Sequence, residues 1–152
     1  PLLNVVAQFI SQTQFYTIQM LSLETKYLTV EYQEENAMLI TRWSPESEYL
    51  DDTTFQEQIL LWLNKLKELR PKNLLIDTTK FGFVIVPELQ QWFDDKVFTA
   101  YPEIGIQKKA FLMSKDIFIQ VSVEQATDDA QNLSVEVKHF DDEQEAIHWL
   151  NA

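Results

Sequence analysis

Asn73-Leu74-Leu75-Ile76-Asp77-Thr78-Thr79 is a short apolar run that stops abruptly in an acid and two hydroxyls. It follows a helix stop at Pro71, and its length and composition read as a strand buried on both faces. Working outward, Phe55, Ile59, Trp62, Leu63, Leu66 and Leu69 recur at spacings of three and four, which predicts an amphipathic helix ahead of the strand. Lys65, Lys67 and Arg70 crowd its last turns, where cations complement the helix dipole. Thr53 with Gln56, or Thr54 with Glu57, offers a capping box at its start. Before it, Tyr27 to Tyr32 and Ala37 to Trp43 are rich in strand formers, and Gln33 to Asn36 between them suits a hairpin.

Downstream, Pro87 fits the first turn of a second helix carrying Leu89, Trp92, Phe93 and Val97. Pro102 and Gly105 mark a loop, Lys109 to Ser114 reads as a strand, and Ser134 to Phe140 as another. Periodicity leaves Asp116 to Gln131 open between strand and helix. Asp141-Asp142-Glu143 opens a last helix with Ala146, Trp149 and Leu150. Strands alternating with helices predict an α/β fold: a single, mostly parallel mixed sheet of about five strands, an N-terminal hairpin and flanking helices.

The 152 residues fit one domain, and a hydrophobic fraction of 45% supports a packed core. Acids outnumber bases 24 to 12, for a net charge of -12, a field that disfavours nucleic acid and anionic bilayers as partners. Solubility alone explains such an excess, and an acidic docking surface is the sharper alternative. Cysteine is absent, which removes disulfides, thiolate catalysis and Cys-ligated metals and fits a cytoplasmic setting. With two glycines in the chain, Gly82 and Gly105, phosphate-cradling loops and nucleophile elbows are excluded as standard motifs.

Residues 1–19 carry no charge, the first charged side chain being Glu24. Polar residues interrupt the segment too often for a bilayer span, and no basic region marks it as a signal peptide. Leu2, Val6, Phe9 and Ile10 share a face if it is helical. It is expected to be an extension, with the domain proper running from 20 to 152.

Asp77, Thr78 and Thr79 lie at the carboxyl end of the central strand, where open α/β sheets place ligand sites. The plainer reading is turn chemistry, with Asp77 accepting backbone N–H groups and the threonines capping. Phe81, Phe83, Trp92, Phe98 and Tyr101 gather on the loop and helix that follow, as pocket lining or simply as core. His139 and His148 fit no metal-ligand spacing, and the pairs Asp94-Asp95, Asp128-Asp129 and Asp141-Asp142 suit solvated faces or helix starts. No catalytic residue, metal or cofactor is expected from these patterns.

The order of elements and their motifs resemble the SpoIIAA-like (STAS-like; STAS/SEC14 domain) family. The resemblance is carried by Tyr27-Leu28-Thr29-Val30-Glu31-Tyr32, Leu39-Ile40-Thr41-Arg42-Trp43, Leu74-Leu75-Ile76-Asp77-Thr78, Glu88-Leu89-Gln90-Gln91-Trp92, Ser122-Val123-Glu124-Gln125 and Phe140 to Leu150. It covers Leu21 to Leu150 and implies helix for Asp116 to Gln131. It also implies a small, bacterial, non-enzymatic regulatory module that works through a protein partner. The family's phosphorylation turn corresponds to Val84-Ile85-Val86-Pro87-Glu88, which has neither hydroxyl nor glycine, so that switch does not carry over. The expected function is therefore protein interaction, with homodimerisation as one form of it. The alternative is a pocket between sheet and helices near Phe81, Phe83 and Trp92 for a small apolar or amphipathic ligand, with Asp77, Thr78 and Thr79 as candidates to hold a polar ligand group or a cation. A third reading is a hydrolytic or transferase activity using Asp77. A carrier of drug-sized ligands needs a cavity of ~300 Å3 or more, whereas an interaction module needs an exposed apolar patch.

Overall fold

The structure is a computed structural model that describes residues 1–118 and 134–152. Six strands form one sheet in the order of the chain: β1 (Ser22–Glu24), β2 (Leu28–Gln33), β3 (Met38–Trp43), β4 (Asn73–Asp77), β5 (Lys108–Leu112) and β6 (Glu136–Phe140). The first three pair antiparallel and the last four run parallel. The α/β architecture read from the sequence is present, with β1 as a further strand along the hairpin edge. β5 begins one residue earlier and ends two residues earlier than the apolar pattern indicates, and β6 starts two residues later. The expected helix over Asp116 to Gln131 lies mostly outside the described residues, of which 115–118 are helical.

Helix α1 (Leu2–Leu21) leads directly into β1. Its large apolar side chains face solvent, Leu2 being 77% and Phe9 70% exposed. Helix α2 (Asp52–Leu69) begins on Asp51, whose carboxylate accepts the Thr54 N–H at 2.7 Å. The cap is thus an aspartate, in place of the Thr53 or Thr54 capping box. An acid at this position also complements the positive end of the helix dipole. Helix α3 (Pro87–Val97) starts with Pro87 in its first turn, as the sequence indicates. A short helix α4 (Tyr101–Ile104) ends on Gly105, whose φ of 91° is a left-handed conformation that glycine adopts without strain. Helix α5 (Glu143–Asn151) is capped by Asp142.

Alternation along the strands divides the core in two. Leu28, Val30, Leu39, Trp43, Leu74 and Ile76 meet Phe55, Ile59, Trp62, Leu63 and Leu66 of α2, together with Leu89 and Val97 of α3 and Tyr101 and Ile104 of α4. On the other face Met38, Ile40, Leu75, Ala110, Leu112 and Phe140 pack with Ala146 and Leu150 of α5. Parallel strands laid down in one direction with right-handed crossovers bring their connecting helices to the same face. That leaves the opposite face for α5, and everything that follows depends on which face a residue occupies.

Candidate functional site

Beyond β4 the chain runs without regular structure to Val86, and this loop roofs the end of the α2–α3 face. One buried hydroxyl holds it down. Ser47 Oγ donates to the Ser44 carbonyl at 2.7 Å and accepts the Gly82 N–H at 3.0 Å. The absence of a side chain at Gly82 permits the close approach, because a Cβ there would lie 2.9 Å from Cβ of Glu48. The loop thereby presents Phe81 to Trp43 (ring centroids 4.8 Å apart) and Phe83 to Phe55 (5.1 Å).

Beneath the loop is a cavity of about 190 Å3, bounded by strands, helices and loop alike. Trp43, Phe55, Phe81, Phe93 and Phe111 form most of its wall, with Ile59, Ile76 and Ile85 filling between them. Its polar groups are few. Trp62 donates its indole N–H to Thr41 Oγ1 at 2.8 Å, which satisfies both buried groups, and Thr78 Oγ1 donates to the Leu112 carbonyl at 2.9 Å. Gln90 donates to Asp94 at 2.8 Å. The volume is below the ~300 Å3 of a drug-sized site, but it exceeds the ~150 Å3 that suffices for a single aromatic ring.

Lys109 completes the wall. It is 3% exposed and sits on β5 beside Phe111, two positions along the same strand face. Its ammonium donates to the Tyr101 hydroxyl at 3.0 Å. The rings of Phe111, Tyr101, Phe98 and Phe93 surround it, with centroids 4.8, 5.2, 5.3 and 5.8 Å from Nζ, within cation–π range. Loss of hydration drives its pKa down to about 7, against an opposing pull from Asp94. Burial pushes the Tyr101 phenol up, so that group stays protonated and neutral. Burial, and then the charge of Lys109, hold His139 below its ordinary value; its ring stacks on Phe111 with centroids 5.3 Å apart. Lys109, Phe98 and Phe111 also border a second cavity of about 160 Å3 that reaches Val135 and Val137.

The six residues singled out from the sequence separate in space. Thr78 and Phe81 line the cavity. Asp77 is on the opposite face, where Oδ2 lies 3.0 Å from Arg42 Nη1. Its Oδ1 accepts the Thr79 N–H at 3.0 Å and the Thr79 hydroxyl at 2.6 Å, so Asp77 and Thr79 form a turn. Burial disfavours the Asp77 carboxylate, but the bonds from Thr79 and Arg42 outweigh it and hold the group below the usual range. Arg42 in turn lies 2.5 Å from Glu143 at the start of α5. Phe83 stacks behind the cavity wall on Phe55, and Trp92 packs against the core while its neighbour Phe93 takes the lining position.

Sequence reasoning missed Lys109, Thr41, Trp62 and Phe111 as parts of one site. Part of the signal for Lys109 was in the sequence: in a strand Lys108-Lys109-Ala110-Phe111-Leu112 the two lysines must point opposite ways, and once both faces of that strand are covered one of them must be buried. Lys108 reaches the end of α5, donating to the Trp149 carbonyl at 3.0 Å, whereas Lys109 has only the apolar side. Among the described residues no group of three or more His, Asp or Glu is arranged to hold a metal ion, and no helix is long and apolar enough to cross a membrane. No protein-family model, curated protein or solved structure matches this chain.

Proposed function

We propose that this chain is a non-enzymatic binding module that takes a small apolar ligand, of about one ring in size, into the cavity between sheet and helices. The observation that carries this reading is an aromatic-walled space of about 190 Å3 beside a loop, bordered by a few fixed polar groups. Binding is favoured over catalysis because the described cavity residues include no pair of carboxylates and no hydroxyl activated by a neighbouring base. The test is a titration of the intact protein with toluene, followed through the fluorescence of Trp43 and Trp62, with native mass spectrometry of freshly purified protein for any retained mass. Saturable binding that disappears when Ile59→Phe fills the space supports the reading. Absence of any saturable response overturns it.

A second reading is a regulatory protein-interaction module of the SpoIIAA-like type in a cytoplasmic setting, and its protein-interaction part is favoured by α1. Leu3, Phe9, Phe15, Tyr16 and Ile18 are all more than half exposed, and the helix carries no charge. Analytical ultracentrifugation across concentrations tests its homodimeric form, which requires a monomer–dimer equilibrium that shifts to monomer when Phe9 and Phe15 are replaced by serine.

A further inference from the structure

The cavity holds a buried amine with no described countercharge. Among the described residues no carboxylate lies within 4.0 Å of Lys109 Nζ, and its one hydrogen-bond partner is a neutral phenol. Asp94, the acid that acts on it electrostatically, accepts a hydrogen bond from Gln90 instead. Charges removed from water are ordinarily paired or relinquished. A fold that needed only apolar lining at this position would be served by leucine or methionine, both of which fill such a space without the cost of desolvating an ammonium.

We propose that the cavity's occupant is a small apolar carboxylate, its ring or branched chain among Trp43, Phe55, Phe81 and Phe111 and its anionic head on Lys109. This rests on the pocket reading above and specifies its ligand class. The geometry suits the division of labour. The aromatic wall provides non-directional burial for the body of the ligand, and Lys109 terminates that wall at its β5 side. The amine is already oriented by its bond to Tyr101, itself 3% exposed, so little side-chain freedom remains to be lost when an anion arrives. At about 190 Å3 the space admits one ring with a short acidic substituent and is too small to enclose a long acyl chain.

Protons enter the binding equilibrium. A carboxylate favours the ammonium form, so binding is strongest where Lys109 is protonated and weakens with rising pH. Among the described residues the other titratable groups facing the amine are Asp94 from α3, Tyr101 from α4 and His139 from β6. Tyr101 keeps its proton throughout, and a protonated His139 repels Lys109 and acts only toward the acidic end.

The experiment compares benzoate, benzamide and toluene on the unmutated full chain by isothermal titration calorimetry at pH 6.5 and pH 8.5, and repeats the series with Lys109→Met. The expected result is benzoate binding about tenfold or more tighter than benzamide at pH 6.5, as for a hydrogen bond to a charged group. That preference shrinks at pH 8.5, and Lys109→Met loses it while still binding toluene. Equal binding of benzoate and benzamide, with toluene also bound, overturns the charge assignment and leaves the apolar pocket intact. Failure of all three to bind overturns both. The comparison among ligands in the unmutated protein decides the matter even if Lys109→Met does not fold.

Discussion

Arg42 and Asp77 stand opposite each other in the parallel register of β3 and β4, and their side chains meet at 3.0 Å on the face covered by α5. Glu143 at the first turn of α5 adds a second carboxylate to the same guanidinium. The Arg42 guanidinium therefore ties β3 to β4 and α5, on the side of the sheet away from the cavity.

Replacing Asp77 by asparagine should accordingly lower stability without touching ligand affinity. The loss expected is about 1 kcal/mol, small because Arg42 is 41% exposed and water screens the pair. The folded carboxyl titrates below its unfolded value, so the contribution is complete above an unfolded pKa of about 3.9 and disappears as pH falls through the folded value. Urea denaturation of both proteins at pH 7 and in the acid range checks this: the gap between them should close toward low pH.

Lys109 should also make stability rise with pH, in a higher window and for a different reason: its charged form is a cost to the fold. Its folded pKa of about 7 lies below the unfolded one near 10.4, so the unfolded chain holds the extra proton between these values. Stability of the unliganded protein should then rise from pH 7 toward pH 10, approaching about 1.4 kcal/mol per pH unit. Lys109→Met should flatten that rise and be the more stable protein at pH 7, by about 2 kcal/mol or more. Chemical denaturation at pH 7 and pH 9 reads both effects, and a parallel pH dependence in the two proteins would contradict them.

The buried bond from Trp62 to Thr41 can be separated from simple packing by a double-mutant cycle. Thr41→Val leaves the indole N–H without an acceptor, at a cost of about 1–3 kcal/mol. Trp62→Phe leaves the hydroxyl unmatched and removes ring volume as well. Made together, the two changes should cost less than the sum of each alone, because neither partner is then left stranded.

Helix α1 meets the body at β1 and β2, and Lys65 Nζ donates to its Met20 carbonyl at 3.0 Å. Deletion of residues 1–19 is expected to leave a cooperative thermal transition in calorimetry. Loss of that transition would make the helix an integral part of the fold.

The frame of the protein was legible because it depends on residue types repeated at fixed spacing. Phe55 to Leu69 gave α2 through a threefold and fourfold recurrence, and Asn73 to Asp77 gave β4 through an uninterrupted apolar run. The short β1 was not legible, since Ser22-Leu23-Glu24 has no pattern of its own and owes its place to pairing with Thr29 to Glu31. The cavity was half legible: Thr78 and Phe81 could be named from their place after the central strand. Lys109 could not be placed before β5 was known to be covered on both faces, because a lysine in isolation reads as solvent-facing. Asp77 and Thr78 are adjacent in sequence, yet the pleat sends one to the α5 side and the other to the cavity.

Strand order that follows chain order has a consequence for how the protein comes into being. Once the ribosome has released the chain through Asp77, β1 to β4 and α2 can already assemble, because each strand's neighbour is the one made just before it. The cavity at that stage has Trp43, Phe55 and Ile76 but lacks its far wall. Lys109 and Phe111 arrive with β5, so the cavity closes only once that strand is made, and the ligand proposed above would act as a latch between β5 and the elements made before it.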